Sequence, residues 1–173
     1  MDKSLAEIAS GGISIRPADE TDAGRLAELR YAFRLEMFDA VEPEAPFIER
    51  CQRWMQERLR NPSAWRCWVA ETDSKLVGNI WAQLIEKIPN PCVEPECHAY
   101  ITNFYVHDHY RRHGVGSQLL ATAMEWIHRH GVHAVILWPS EQTREFYSRN
   151  GFAVRDDLME KLIANGRAES NTP

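Results

Sequence analysis

The sequence predicts a mixed α/β fold with helices on both faces of its sheet, and three observations favour it. Short apolar runs alternate with longer segments in which apolar residues recur at helical spacing. Glycine and proline residues separate most of these segments. The resulting order, β-α-α-β-β-β-α-β-α-β-β, is typical of a sheet that helices cover on both sides.

Length and composition narrow the class of protein. The 173 residues suit one domain, expected over 13–165, with a flexible leader over 1–12 and a tail over 166–173. A net charge of −5 disfavours a general nucleic-acid binder. The leader lacks the basic start and apolar core of a signal peptide, and no apolar run approaches the roughly 20 residues of a membrane span. Four irregularly spaced cysteines indicate a reducing, cytoplasmic setting.

The first half of the chain predicts two helices among three strands. Asp19 or Thr21 is suited to cap the first helix, and Pro46 is a good first-turn residue for the second. Asp73-Ser74 joins the second and third strands as a hairpin. The expected strands are Ile13–Arg16, Trp65–Glu71 and Lys75–Lys87, and the helices carry apolar stripes at Leu26, Leu29, Phe33 and Met37 and at Phe47, Ile48, Cys51, Met55 and Leu59.

The second half continues the alternation after a proline-rich loop over 88–97. Gly131 is placed to end the longer helix, and Asn150-Gly151 to end the shorter one. Two short apolar runs at the end predict a final hairpin. In order, we expect a strand over His98–Val106, a helix over Ser117–His130, a strand over His133–Trp138, a helix over Glu141–Arg149, and strands over Phe152–Val154 and Leu158–Ile163.

The stretch Arg111-Arg112-His113-Gly114-Val115-Gly116 is the strongest local signal for binding, since it connects a predicted strand to a predicted helix. Glycines at a helix start let a ligand approach the backbone. The unpaired N–H groups and the positive end of the helix dipole there favour an anion such as a pyrophosphate. A dinucleotide-binding loop would need a third glycine where this chain has Leu119, and a P-loop would need Gly-Lys-Ser/Thr.

Two motifs together resemble the GNAT acyltransferase family. Tyr105-Val106, four further residues and the glycine turn are similar to the family's acetyl-CoA signature. The later segment from Pro139 to Phe152, with its Phe146-Tyr147 pair, is similar to the family's closing segment. The resemblance covers roughly Ile13 to Ile163. It implies a mostly antiparallel sheet, a V-shaped splay between the fourth and fifth strands, and acetyl-CoA as co-substrate.

The resemblance also implies a donor-binding site. Backbone groups of three strand residues would bind the pantetheine arm as an added strand. The amides from Arg112 to Ser117 would hold the pyrophosphate, while Arg111 and Arg112 add positive charge. Ser140 stands where many relatives have an asparagine that binds the pantetheine arm, and it is equally suited to cap a helix. The expected donor-binding residues are Phe104, Tyr105, Val106, Arg111, Arg112, His113, Gly114, Val115, Gly116, Ser117 and Ser140.

For catalysis, the resemblance makes Tyr147 the general acid that protonates the leaving CoA thiolate. The general base stays open: the strand over Tyr100–Val106 contains no carboxylate, so Glu36, Glu96 or loss of the proton through water remain as options. The implied reaction is acetyl transfer to a primary amine by direct attack in a ternary complex, as in an N-acetyltransferase. The alternative is a non-catalytic acyl-CoA-binding or sensing module of the same fold.

No motif specifies the acceptor, a small-molecule or peptide amine. Polyamines, aminoglycoside-like molecules, amino acids and protein amines remain open, and the acidic loop residues Glu94 and Glu96 favour a cationic amine. Trp81 or Trp138 is expected to line the acceptor pocket.

Other partners are expected to be few. We expect neither nucleic acid nor membrane, and a homodimer is possible because dimers are common among similar proteins. His107-Asp108-His109 and His113 have no cysteine or carboxylate partner at zinc-finger spacing, so no metal is expected.

Overall fold

The computed structural model describes residues 12–38, 42–62, 64–161 and 163. They fall into two compact units, one up to Leu137 and one from Trp138 onward. The expected leader, apart from residue 12, and the expected tail over 166–173 lie outside the described residues. Within the described residues, no helix has the length and apolar character that crossing a membrane requires.

The first unit is built on a five-stranded sheet in the order β1-β2-β3-β4-β5. The first three pairings are antiparallel, and β4 pairs with β5 in parallel. This confirms the predicted mixed, mostly antiparallel sheet. The strands are β1 Ser14–Pro17, β2 Trp65–Thr72, β3 Lys75–Glu86, β4 Cys97–Val106 and β5 Ala134–Ile136.

Four α-helices occur in the described residues, three of them in the first unit. They are α1 Ala23–Leu35, α2 Glu44–Arg60, α3 Val115–Arg129 and, in the second unit, α4 Arg144–Arg149. Short 3-10 turns cover Glu20–Asp22, Asp108–Tyr110 and Glu141–Thr143.

Both faces of the sheet are covered, as the element order predicted. Side chains alternate along β2, so neighbouring residues point to opposite faces. Cys67 and Val69 belong to a core cluster with residues of α1 and α2. Trp68, on the other face, packs edge-on against Trp126 of α3, with ring centroids 5.5 Å apart.

The start of α1 is fixed by Asp19, one of its two predicted caps. The Asp19 carboxylate accepts a hydrogen bond from the Thr21 backbone N–H at 2.8 Å, and the Asp22 carboxylate accepts one from the Asp19 backbone N–H at 2.9 Å. This reciprocal capping box opens the 3-10 turn that leads into α1. Arg16 on β1 then pairs with the mostly buried Asp22, which ties the helix start to the sheet.

The pairing between β4 and β5 is short. It runs from His98 opposite Ala134 to Tyr100 opposite Ile136 and ends there. No described strand pairs with this edge of β4 beyond Tyr100, as the predicted splay requires. The result is an open strand edge that continues to Val106, directly before the glycine turn.

The second unit corrects one prediction. The final hairpin, Phe152–Val154 with Leu158–Ile163, is wrong, because residues 152–161 and 163 form no strand. Arg155 Nε donates to the Asp157 carboxylate at 2.9 Å, in the segment where the chain bends. The apolar side chains here are exposed, Val154 by 80% and Leu158 by 63%. An apolar alternation with no buried face does not specify a strand register.

Candidate active site

The open edge of β4 presents the backbone of Val106. The His107 backbone N–H donates to the Val77 carbonyl on β3 at 2.9 Å. Since backbone groups alternate sides along an antiparallel strand, those of Tyr105 face β3 and those of Val106 face the opposite edge. The Val106 carbonyl accepts a hydrogen bond from Arg111 Nε at 2.8 Å. Its N–H therefore lies on the edge where an added chain would bind.

A bulge interrupts β4 just before this point. Asn103 adopts a left-handed conformation, with φ at +46°, where the pairing of β3 and β4 shifts by one residue. The side chain of the fully buried Asn79 holds the bulge, because its Nδ2 donates to the Asn103 carbonyl at 2.6 Å.

Gly78 allows β3 to approach β4 closely next to the bulge. A Cβ at this position would lie 3.0 Å from the Tyr105 carbonyl oxygen and 3.3 Å from a methyl group of Leu119 on α3. Both distances are shorter than ordinary van der Waals contact. Because Gly78 has no side chain, both β4 and α3 can pack closely against β3, and this packing positions the open edge of β4.

The glycine turn between β4 and α3 has the conformation that an anion site needs. Arg112 and Gly114 both have positive φ, +66° and +79°. Gly114 is the N-cap of α3, and in the described part of the chain no side chain caps the first helical amides. Arg111, Arg112, His113 and Gly114 are exposed, whereas Val115 is buried and anchors the helix start. An anion can thus reach amides at the positive end of the helix.

Glu36, one of the base candidates, lies beside this strand at the end of α1. Its carboxylate accepts a hydrogen bond from the Tyr105 hydroxyl at 2.7 Å and pairs with Arg111 at 2.6 Å. Burial and the Glu36 hydrogen bond raise the pKa of the Tyr105 phenol. Glu36 thus connects α1, β4 and the glycine turn, with both carboxylate oxygens engaged.

Glu96, the other base candidate, is at the wrong end of the strand. It directly precedes β4, whose first residue is Cys97 and whose last is Val106. At a rise of about 3.3 Å per residue, the two ends of β4 are about 30 Å apart. The structure does not bring Glu96 together with Val106.

Tyr147, the expected general acid, lies on α4 in the second unit. It is only 8% exposed, and the rings of Phe146 and Phe152 approach its own ring edge-on, with centroids 5.3 and 5.5 Å away. Burial raises the pKa of Tyr147 to about 12. The phenol therefore stays protonated throughout the physiological range of pH.

Ser140 makes its hydrogen bonds within its own turn, to Thr143. Its hydroxyl lies 3.0 Å from that of Thr143, and its carbonyl accepts hydrogen bonds from the Thr143 side chain and backbone. It makes no side-chain cap to the following 3-10 turn, although it occupies the N-cap position. The capping role is therefore not observed, and the contact with a pantetheine arm stays a prediction.

Comparison with known proteins decides the family. The model of the acetyltransferase (GNAT) family matches residues 26–152, which include the strand, the turn, α3 and Tyr147. The chain belongs to the GNAT acetyltransferase family. No curated protein sequence gives a significant match to it.

Solved structures share the GNAT fold at low identity. A predicted acetyltransferase from Clostridium acetobutylicum, solved with acetyl-CoA, superposes with a TM-score of 0.74 at 22% identity, covering 87% of this chain and 96% of its own. A GCN5-related N-acetyltransferase from Ralstonia eutropha gives 0.73 at 22% identity, covering 88% and 100%. Glucosamine-6-phosphate N-acetyltransferase from Arabidopsis thaliana gives 0.66 at 20% identity, covering 88% and 99%.

Two residues of the GNAT site were missed by sequence reasoning. Asn79 supports the bulge, and its signal was a polar residue inside the apolar run of β3. Arg30 on α1 donates to the Asn103 side chain at 3.2 Å. Its signal was a charge between the apolar positions Leu29 and Phe33, on a helix that packs against the sheet.

The histidine cluster of this GNAT chain is brought together by the turn after β4. Ligand atoms of His107, Asp108 and His109 lie within 4.8 Å of one another, and the two imidazole rings stack. His109 and Asp108 are exposed, and His107 is partly exposed. These three side chains are close enough to share a cation, and the expectation of a metal-free protein stays a prediction.

Proposed function

We propose that the protein transfers an acetyl group from acetyl-CoA to a primary amine, by direct attack of the amine in a ternary complex. One observation carries this proposal: β4 loses its parallel partner after Tyr100 and leads into a helix that begins on Gly114 without a side-chain cap. A strand edge followed by exposed helix-start amides suits a ligand with an extended polar arm and a pyrophosphate. The family match supports the same donor.

The donor would bind mainly through the backbone. The pantetheine arm would lie along Phe104 to Val106, and the pyrophosphate would accept hydrogen bonds from the amides of Arg112 to Ser117. Arg112 is exposed beside these amides and adds positive potential. Arg111 is already paired with Glu36, so we assign it chiefly to holding the turn against β4.

The chemistry requires a polarised carbonyl and an acid. The amine nitrogen attacks the acetyl carbon, the new C–N bond forms, and the C–S bond breaks. The Val106 N–H, on the open edge of β4, would donate to the carbonyl oxygen as negative charge develops there. The Clostridium structure contains acetyl-CoA, and the Arabidopsis protein is named as an acetyltransferase of an amino sugar, which supports an amine acceptor.

Tyr147 would supply the proton to the leaving sulfur. With a pKa of about 12, its phenol keeps that proton until negative charge develops nearby. The sulfur takes this proton as the C–S bond breaks and leaves as the thiol, and the phenolate regains a proton from water.

The amine proton leaves by a separate route. Both oxygens of Glu36 are engaged by Tyr105 and Arg111, and Glu96 lies at the far end of β4. We therefore assign its removal to water, or to arrival of the amine in its neutral form.

Thiol release from acetyl-CoA across a panel of primary amines tests the function. We expect acetylated product and free CoA in equal amounts with at least one amine. Tight CoA binding without turnover on any amine would instead favour the non-catalytic acyl-CoA-binding module. Absence of CoA binding, measured by calorimetry, would exclude both.

A further inference from the structure

A cavity of about 240 Å³ lies in the first unit between α1, α2 and the sheet. Arg30 and Cys51 contribute from the helices, and Trp65, Trp81 and Asn103 from the strands. Ligand pockets for drug-sized molecules are usually about 300–1,000 Å³, so this one suits a small molecule.

The cavity adjoins the part of β4 that we assign to the donor. Asn103 lines it and is also the bulge residue, three positions before Val106. At about 3.3 Å per residue, this places the cavity wall roughly 10 Å along the strand from the proposed acetyl site. The cavity and the proposed acetyl site therefore lie along the same strand.

Arg30 gives the cavity a positive charge. Its guanidinium is partly buried and donates to the Asn103 side chain at 3.2 Å. Among the described residues, no carboxylate lies within ion-pair distance of it, whereas Arg16, Arg50 and Arg111 all have carboxylate partners. Burial, followed by repulsion from Arg34, lowers the pKa of Arg30. A partly buried cation without a counter-ion is costly, and an anionic ligand would offset that cost.

The remaining wall is aromatic. The rings of Trp54, Trp65 and Trp81 contact one another, with centroids 5.2 to 6.2 Å apart. Met55 adds a buried apolar surface. An apolar side chain of the ligand would bury its surface here.

The acidic loop that favoured a cationic amine is partly neutralised. Of Glu94 and Glu96, which made the 88–97 loop look suited to such an amine, Glu94 pairs with Lys87 at 2.7 Å and lies 3.6 Å from His133. Polyamines and aminoglycosides carry several positive charges, and Arg30 would repel them.

We propose that the acceptor is a small amine that also carries a carboxylate and an apolar side chain, as a hydrophobic amino acid does. The carboxylate binds Arg30, and the apolar side chain packs among the tryptophans. A single arginine balances a carboxylate, whereas a phosphate dianion would leave an uncompensated charge. The amine nitrogen takes the acetyl group, its proton leaves to water, and Tyr147 protonates the sulfur. This assignment rests on the proposed acetyl transfer.

The test compares acceptors matched in shape. The initial rate of CoA release is measured with phenylalanine, phenylalanine amide, leucine, leucine amide, spermidine and kanamycin. We expect kcat/KM for each amino acid to exceed that for its amide by at least tenfold, with spermidine and kanamycin lower still. Equal or faster acetylation of the amides or polycations would overturn the assignment of the substrate class.

Two substitutions on α1 test whether Arg30 makes the contact with the carboxylate of the acceptor. Arg30→Met keeps most of the side-chain volume and removes the charge. It should lower kcat/KM for the amino acids about 100-fold and change that for the amides less than threefold. The control, Arg25→Met, removes an exposed arginine that pairs with Glu28 on the same helix and should change neither. An equal loss for amino acids and amides in Arg30→Met would overturn the carboxylate contact.

Direct binding separates this proposal from the proposed function. Calorimetry of phenylalanine with the intact protein should detect binding that Arg30→Met weakens at least tenfold and that Arg30→Lys partly restores. Binding of this kind without turnover would support the cavity assignment and overturn acetyl transfer. Turnover of amines with no dependence on Arg30 would support acetyl transfer and overturn the cavity assignment.

Discussion

The donor side of the sheet and the acceptor cavity are built from different parts of the same polypeptide. On the donor side, the edge of β4 and the start of α3 present mainly backbone groups, and the side chains of the glycine turn are exposed. The cavity presents side chains instead, a guanidinium and aromatic rings. Backbone recognition is suited to an invariable ligand, whereas side chains can be exchanged without disturbing the sheet. If the two proposed sites hold, this difference would let one fold keep its donor while its acceptor changes.

The largest expected effect comes from Tyr147, which belongs to neither the proposed donor side nor the cavity, and it falls on kcat. Tyr147→Phe should lower kcat about 100-fold, because it removes the proposed acid and keeps the ring. The KM values of donor and acceptor should stay within about threefold. Tyr31→Phe is the matched control, since within the described residues that hydroxyl donates to the exposed Glu42 backbone carbonyl alone, and it should leave kcat unchanged. Unchanged kcat in Tyr147→Phe would remove this residue from catalysis.

The same residue predicts a pH profile. The acid form of Tyr147 is lost only as the pH rises through its pKa of about 12. With saturating amine, kcat should therefore keep its plateau from pH 8 to pH 10.5. An unperturbed phenol would already have lost about half of its acid form at pH 10. A fall of kcat by half near pH 10, in protein that remains folded by circular dichroism, would contradict the raised pKa.

Overpacking next to β4 should destabilise the strand that the proposed donor side and the cavity share. Gly78→Ala places a methyl group 3.0 Å from the Tyr105 carbonyl and should lower the free energy of unfolding by about 1–3 kcal/mol. Gly24→Ala is the control, because its methyl group meets only the Gln52 side chain at 3.7 Å, on a helix that alanine favours. Urea denaturation should show opposite shifts of the midpoint for the two variants.

A change in the glycine turn should weaken the donor alone. Alanine at Gly114, where φ is +79°, costs about 1–2 kcal/mol of backbone strain, and relief of that strain would move the amides of the turn. We expect KM for acetyl-CoA to rise about tenfold with KM for the amine unchanged. Gly131→Ala introduces comparable strain at the other end of α3, where φ is +59°, and should leave both KM values alone. Equal effects of the two variants would mean that the turn has no special role.

The smallest expected effect concerns Glu36. Glu36→Gln keeps an acceptor for the Tyr105 hydroxyl and removes the partly exposed ion pair with Arg111, which is worth at most about 1 kcal/mol. The value of kcat and its pH profile should remain within about twofold of wild type. A loss of 100-fold or more, with a flattened acidic limb, would instead make Glu36 the general base.

The sequence predicted the local structure around the glycine turn well, because its signals are contiguous. The glycine turn, the strand before it and the helix after it are contiguous, and glycine has a conformational reason to be at Gly114. The alternation of elements also predicted a mixed sheet with helices on both faces. The final hairpin failed because apolar alternation could not reveal that Val154, Leu158 and Met159 stay exposed.

The acceptor side could not be predicted in the same way. Its cavity joins α1, α2 and three strands, so its residues are far apart in the chain. Trp81 was named as a possible lining residue and does line the cavity. Arg30 was hidden because a charge on an amphipathic helix normally faces solvent, and only the packing of α1 shows that this one is partly buried.

The bulge at Asn103 reverses the phase of β4. Before it, the odd-numbered residues turn their backbone toward β5, as the bond from His133 to the Cys97 carbonyl shows. After it, an even-numbered residue, Val106, faces that edge. The side chains shift by one position as well. On the face toward α1, the even-numbered residues Tyr100 and Thr102 line the cavity before the bulge, and the odd-numbered Tyr105 joins the core after it. One extra residue thus lets a single strand line the cavity with its side chains before the bulge and present the Val106 backbone on its open edge after it. Deletion of that residue would turn the Val106 backbone toward β3 instead.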